Sequence, residues 1–217
     1  MGGVRKRFIT FEGIEGSGKT SQTAILAQEL RALGFRVTVS REPGGTALGE
    51  LIRSILLGSS SSEMTAMSEL FLIAACRAQH VQEVIGPALE MGEVVLCDRF
   101  TDATLAYQGY GRGVELEVVR EVSRLASGGI MPGLTILLDC SVEIGLERSR
   151  RRLVAEGKIL SEGRFEQEEK SFHQRVREGY LELAKGDPGR IKVVDATGPP
   201  QWVAKAVRQQ VCEHLGV

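Results

Sequence analysis

The segment Gly13-Ile14-Glu15-Gly16-Ser17-Gly18-Lys19-Thr20 has the spacing G-x-x-x-x-G-K-[ST]. Its three glycines let backbone N–H groups turn inward around phosphate oxygens, and a helix starting at Lys19 adds the partial positive charge of its N-terminus. In such a loop the lysine neutralises the β- and γ-phosphates of a nucleoside triphosphate, and the Thr20 hydroxyl ligates a magnesium ion that bridges them. Glu15 is out of keeping with an anion site. Its charge must point away from the phosphates, toward hydroxyl groups of another ligand. The loop fixes a phosphate donor and leaves the reaction open, since switches, hydrolases and kinases all carry one.

The elements that must position this loop are legible as alternating strand and helix patterns. Arg7–Phe11, Arg36–Ser40, Val94–Cys97, Leu134–Asp139 and Ile191–Asp195 read as strands too apolar to have a wet face. Helical patterns cover Lys19–Leu33, Thr46–Leu57, Met64–Met91, Glu115–Ser127, Val142–Leu153, Phe165–Ala184 and Pro199–His214, with Gly34, Gly92 and Gly128 where helices should stop. Strands separated by helices imply a three-layer α/β/α fold with a five-stranded parallel sheet. The serine-rich tip Leu57–Ser62 and the segment Val154–Gly163 read as surface loops. No linker divides the chain, so residues 1–217 are expected to form a single domain.

A parallel sheet gathers ligand-binding loops at the carboxyl ends of its strands. The second strand ends in Arg41-Glu42-Pro43-Gly44-Gly45-Thr46 and the third in Asp98-Arg99-Phe100. Arg41 and Arg99 are therefore candidate clamps for an acceptor phosphate, which guanidinium groups grip bidentately; the alternative for either is an ion pair with Glu42 or Asp98. Asp98 would organise magnesium or help position the acceptor. A dense basic cluster, Arg148, Arg150, Arg151 and Arg152 followed by Arg164, reads as a lid that closes over the donor, excludes water and brings charge to the transferring phosphoryl group. The alternative is a solvated face balanced by Glu143, Glu147, Glu156 and Glu162.

The 27 Lys+Arg against 28 Asp+Glu leave a net charge of −1, which argues against a surface built to bind nucleic acid and confines any anion site to a local cluster. Cys76, Cys97, Cys140 and Cys212 form no C-x-x-C pair, so neither zinc nor a disulfide framework is expected. No apolar run approaches a membrane span, and the basic segment Met1–Arg7 lacks a signal-peptide core. The expectation is a cytoplasmic protein.

FEGIEGSGKT at Phe11–Thr20, REPGGT at Arg41–Thr46 and DRFTDATLAYQGYGRG at Asp98–Gly113 together resemble the bacterial thymidylate kinases, over essentially the whole chain. The resemblance implies a P-loop NTPase fold with a mobile lid at about 148–165 that phosphorylates dTMP to dTDP with ATP and Mg2+. It implies that Phe71 stacks on thymine, Arg77 bonds the base, Thr101 and Gln108 lie near it, and Tyr107 meets C2′ of the sugar and excludes a 2′-hydroxyl. Arg41 and Arg99 then hold the dTMP phosphate, Glu15 approaches the 3′-hydroxyl, and a cis bond before Pro43 turns Arg41 inward. Arg148 and Thr197 flank the adenine. With no basic residue in the P-loop before Lys19, the lid must supply the catalytic arginine: Arg164 is the first match and Arg150 the second, in a lid with an apparent insertion over Leu153–Ser161. Homodimerisation is also implied, through a face near Met64–Ala75. A different nucleotide kinase should lack the Phe71, Arg77 and Tyr107 set, and a nucleotide switch should ignore dTMP.

Overall fold

A computed structural model describes residues 6–58 and 64–217. The apolar runs form β1 (Phe8–Glu12), β2 (Val37–Arg41), β3 (Val94–Asp98), β4 (Leu134–Asp139) and β5 (Ile191–Asp195). They pair in the order β2-β3-β1-β4-β5, every neighbouring pair parallel. β1, β3 and β4 are buried almost throughout, because helices cover both faces of the sheet, whereas edge strands β2 and β5 have exposed positions. Alternation along β1 sends Ile9 and Phe11 to the larger core, with Leu26, Leu30 and Val207, and Phe8 to the smaller one, with Ile85 and Phe100.

The helices are α1 (Lys19–Ala32), α2 (Ala47–Leu57), α3 (Ala66–His80), α4 (Gly86–Glu90), α5 (Thr101–Thr104), α6 (Leu116–Ala126), α7 (Val142–Ala155), α8 (Ile159–Glu162), α9 (Lys170–Gly186) and α10 (Pro200–Leu215). Side-chain oxygens of Thr46, Thr65 and Ser141 cap α2, α3 and α7. Gly34, Gly92 and Gly128 all adopt positive φ just past helix ends, as the sequence pattern implies.

Four elements depart from expectation. The helix expected over Met64–Met91 is broken by a π turn at Val81–Ile85, just before Pro87, which has no N–H and crowds the preceding turn. The helix expected from Phe165 starts at Lys170, after a 3-10 turn at Phe165–Gln167. The segment Val154–Gly163 is not a plain loop: α7 runs on to Ala155, turns at Gly157 (φ +65°) and is followed by α8. Finally, α5 and a second π segment, Leu105–Gly111, occupy a stretch whose glycines hide its helical character. Gly111 is needed there because a Cβ would stand 2.7 Å from the Phe172 ring. The serine-rich tip lies mostly at 59–63, outside the described residues. Among the described residues no helix is long and apolar enough to cross a membrane, and all four cysteines are free thiols.

Candidate active site

A cavity of about 790 Å³ opens at the carboxyl ends of β1, β2 and β3, and it is bounded by the P-loop, the end of α2, α3, the α5 segment, α7 and the approach to α10. Its floor is the loop 13–18. Gly13 (φ +137°) and Gly16 (φ +67°) are required by packing as well as by dihedral angle. A Cβ would lie 2.4 Å from the Leu138 carbonyl oxygen at the first and 2.0 Å from that of Gly145 at the second, so α7 and β4 press directly on the loop.

Lys19 turns back over this loop and donates to the carbonyl oxygens of Ile14 (2.8 Å) and Gly13 (3.1 Å) and to Ser17 Oγ (3.4 Å). Burial, followed by the positive Arg99, lowers its pKa to about 8. At the rim Thr20 donates to Asp98 Oδ2 at 2.7 Å. At the far end Arg148 donates to the carbonyls of Ala196 (2.8 Å) and Thr197 (3.1 Å), and Ala196, Gly198 and Val203 form an apolar slot. Thr197 takes part through its carbonyl only; its hydroxyl bonds Asp195.

Arg99 anchors the other half. It sits at positive φ (72°), an uncommon conformation for a residue with a Cβ, directly after β3. Its guanidinium donates to Gly13 O, Tyr180 Oη and Tyr107 Oη, each at 3.0 Å, and reaches Glu15 Oε1 at 3.3 Å. Tyr107 donates to the same Glu15 oxygen at 2.5 Å. Burial would raise the Glu15 carboxyl, but His173, 3.3 Å from Oε2, and Arg99 outweigh it and hold the pKa at about 2. Arg41 lines the cavity and pairs with Glu50 at 3.0 Å, not with Glu42 or Asp98. Glu42 instead turns inward, joined to Arg77 Nε (2.8 Å) and His80 Nδ1 (3.0 Å), and the peptide bond before Pro43 is cis. Arg77 also donates to Phe100 O and Thr104 Oγ1, which leaves its buried Nη1 with no acceptor. Such an orphan donor at a cavity wall calls for a partner.

Several expected residues lie elsewhere. Phe71 is 55% exposed and does not line the cavity; it is on the opposite side of α3 from Ile73 and Arg77, which stand one turn apart and do. Thr101 is buried with its hydroxyl toward Met131 Sδ, and Thr104, one turn on, faces the cavity beside Arg77. Arg164 is buried against Glu69 (2.7 Å) and the Leu56 carbonyl (3.1 Å), and Arg150 faces the outer side of α7. Three cations of the expected lid line the cavity: Arg148, Arg152, one turn beyond it on the same face of α7, and Lys158. That i, i+4 spacing was readable in the sequence. Arg53, one turn before the lining residues Leu56 and Leu57, lines the cavity too, and no sequence motif marked it.

Two buried groups had no role assigned from the sequence. Glu12, the last residue of β1, accepts from the Phe100 and Ala103 amides and from Tyr180 Oη (2.7 Å). Burial, with Asp102 nearby, raises its pKa to about 8. His173 packs behind Glu15, fully buried.

A model of the thymidylate kinase family matches residues 11–207. The thymidylate kinase of a Geobacter species is 55% identical over 208 residues, 96% of this chain and 92% of the relative. That of Trichlorobacter lovleyi is 52% identical over 210 residues, 97% and 99% of the two chains. A crystal structure of the Ehrlichia chaffeensis thymidylate kinase superposes with a TM-score of 0.74 at 32% identity, over 94% of this chain and 97% of that one. The sheet order, the phosphate loop and the matched length agree: the chain belongs to the thymidylate kinase family.

Proposed function

We propose that the cavity holds two nucleotides end to end, ATP over the P-loop and dTMP over Arg99, so that the chain, a thymidylate kinase, phosphorylates dTMP to dTDP. One observation carries this arrangement. Lys19 and Arg99 both donate to the single carbonyl oxygen of Gly13, at 3.1 and 3.0 Å. A cation suited to the donor's terminal phosphate and one suited to the acceptor's phosphate therefore flank one point, where the phosphoryl group would pass.

The attacking oxygen of a monophosphate is already anionic, so no strong general base is needed, and positioning and charge neutralisation carry the step. Arg99 and Arg41 hold the acceptor phosphate, with Pro43 beside them. Glu15 and Tyr107, locked together, face the sugar, while Arg77 and Gln108 face the base. Arg148 flanks the adenine, and Arg152 supplies the lid charge on the donor phosphates. Thr20 and Asp98 offer two hard oxygen ligands, which fits Mg2+, an ion that takes its remaining ligands from phosphate and water. When bound, Mg2+ would neutralise charge on the donor phosphates.

A second copy of the chain is part of this reading. Leu48, Leu51, Met67 and Phe71 are exposed on α2 and α3, which gives Phe71 an interface role in place of base stacking. Sedimentation of wild type and Phe71→Glu tests it, with a dimer expected only for the first. A cytoplasmic setting is supported by the four free thiols. The activity test is ADP release with dTMP, dUMP, dGMP and thymidine as acceptors. Release that does not depend on dTMP overturns the reading.

A further inference from the structure

Glu69 is wholly buried on α3, one turn before Ile73 and two before Arg77. Its Oε1 accepts from Gln108 Nε2 at 2.7 Å and from Arg112 Nε at 3.3 Å, and its Oε2 pairs with Arg164 at 2.7 Å and Arg112 at 3.3 Å. Nothing in the phosphoryl transfer requires this carboxylate. We propose that Glu69 is a positioning residue that fixes the Gln108 carboxamide with its oxygen toward the cavity, and so selects which pyrimidine edge the acceptor half admits. The proposal rests on the reading of the site given above.

The argument is one of donors and acceptors. A carboxylate ringed by two guanidinium groups has only acceptors to offer, so Gln108 must turn its NH2 toward it. The amide oxygen is then the atom left for the cavity, which Gln108 lines. Arg77 Nη1, on the same helix face as Glu69, is a donor without an acceptor. The pocket thus offers one acceptor beside one donor. Thymine and uracil present N3–H beside O4, which complements that pair. Cytosine presents an unprotonated N3 beside an amino group, which opposes both. Without the Glu69 charge, the Gln108 amide is free to turn over and the discrimination weakens.

The test compares the dissociation constants of dTMP and dCMP, by competition calorimetry, for wild type and Glu69→Gln, with melting temperatures alongside. The expected result is that the gap between the two nucleotides narrows at least tenfold in the variant. Equal weakening of both, or no change in the gap, would mean that Glu69 serves stability alone and overturns the proposal. Should Glu69→Gln fail to fold, the wild-type protein decides: nuclear magnetic resonance should detect a through-hydrogen-bond coupling between Gln108 Nε2 and the Glu69 carboxylate carbon, and its absence overturns the proposal. If wild type phosphorylates no dTMP, the site reading itself fails; if it does and the gap does not narrow, only the role of Glu69 fails.

Discussion

Thr20 donates its hydroxyl hydrogen to Asp98 at 2.7 Å, joining the first turn of α1 to the end of β3 across 78 residues of sequence. The pair exists because β3 lies beside β1, with Phe11 in register with Asp98. Both oxygens are suited to a hard cation, so Asp98→Asn should raise the magnesium concentration needed for half-maximal turnover and lower kcat by ~10²-fold. Thr20→Ser, which keeps the hydroxyl, should stay near wild type. A magnesium titration of ADP release checks both; an unchanged magnesium requirement in Asp98→Asn would exclude Asp98 from the metal site.

The lid arginines divide by the direction they face. Arg152 lines the cavity, while Arg150 and Arg164 do not. Arg152→Ala should lower kcat by ~10³-fold, in line with arginines that neutralise a transferring phosphoryl group. Arg150→Ala should leave turnover nearly unchanged. Arg164→Ala should act on stability instead, costing about 3 kcal/mol, because it strips a partner from the buried Glu69. Steady-state kinetics with thermal melts separates the three, and a crippled Arg150→Ala would contradict this placement.

Lys19 has a pKa near 8 through burial and the charge of Arg99. Triphosphate favours its charged form, so binding should draw a proton into the protein when the free amine is partly neutral. Calorimetry in buffers of different ionisation enthalpy should detect proton uptake on ATP binding at pH 8.5 and little at pH 6.5. Lys19→Met should abolish the uptake as well as weaken binding. An uptake that persists in the variant would assign the proton to another group.

Burial and the nearby Asp102 raise the Glu12 pKa to about 8 from the ordinary carboxylate value of 4.5. Between those two values the unfolded chain holds fewer protons than the folded one, so this group's stabilising contribution is complete at low pH and is lost as pH rises through about 8. The slope is at most about 1.4 kcal/mol per pH unit. Urea unfolding at pH 5.5 and 7.5 should therefore show wild type losing more stability than Glu12→Gln over that interval. Equal losses would mean that Glu12 titrates normally.

Some of this site is written in local spacing and some is not. The phosphate loop, the five strands and the arginines at two strand ends are local patterns, because a tight glycine turn, an apolar strand and a helix N-terminus are each set by neighbouring residues. Arg77 is singled out by the family motif, but the group that meets the base beside it is decided by which face of α3 turns inward. That choice put Ile73 on the cavity wall and Phe71 on the opposite side of the helix. Four arginines in one helix read alike along the chain, and only the packing of α7 on the P-loop, through Gly145 and Gly16, separates Arg148 and Arg152 from Arg150.

The amino-acid order alone determined the sheet, the cradle and the kind of ligand it accepts, since these follow from short-range sterics and periodicity. The tertiary structure decided which charges share a partner. Glu69 meets Arg112 and Arg164, and Lys19 meets Arg99 at Gly13, because burial forces distant polar groups to satisfy one another, and that pairing depends on distances no spacing along the chain records.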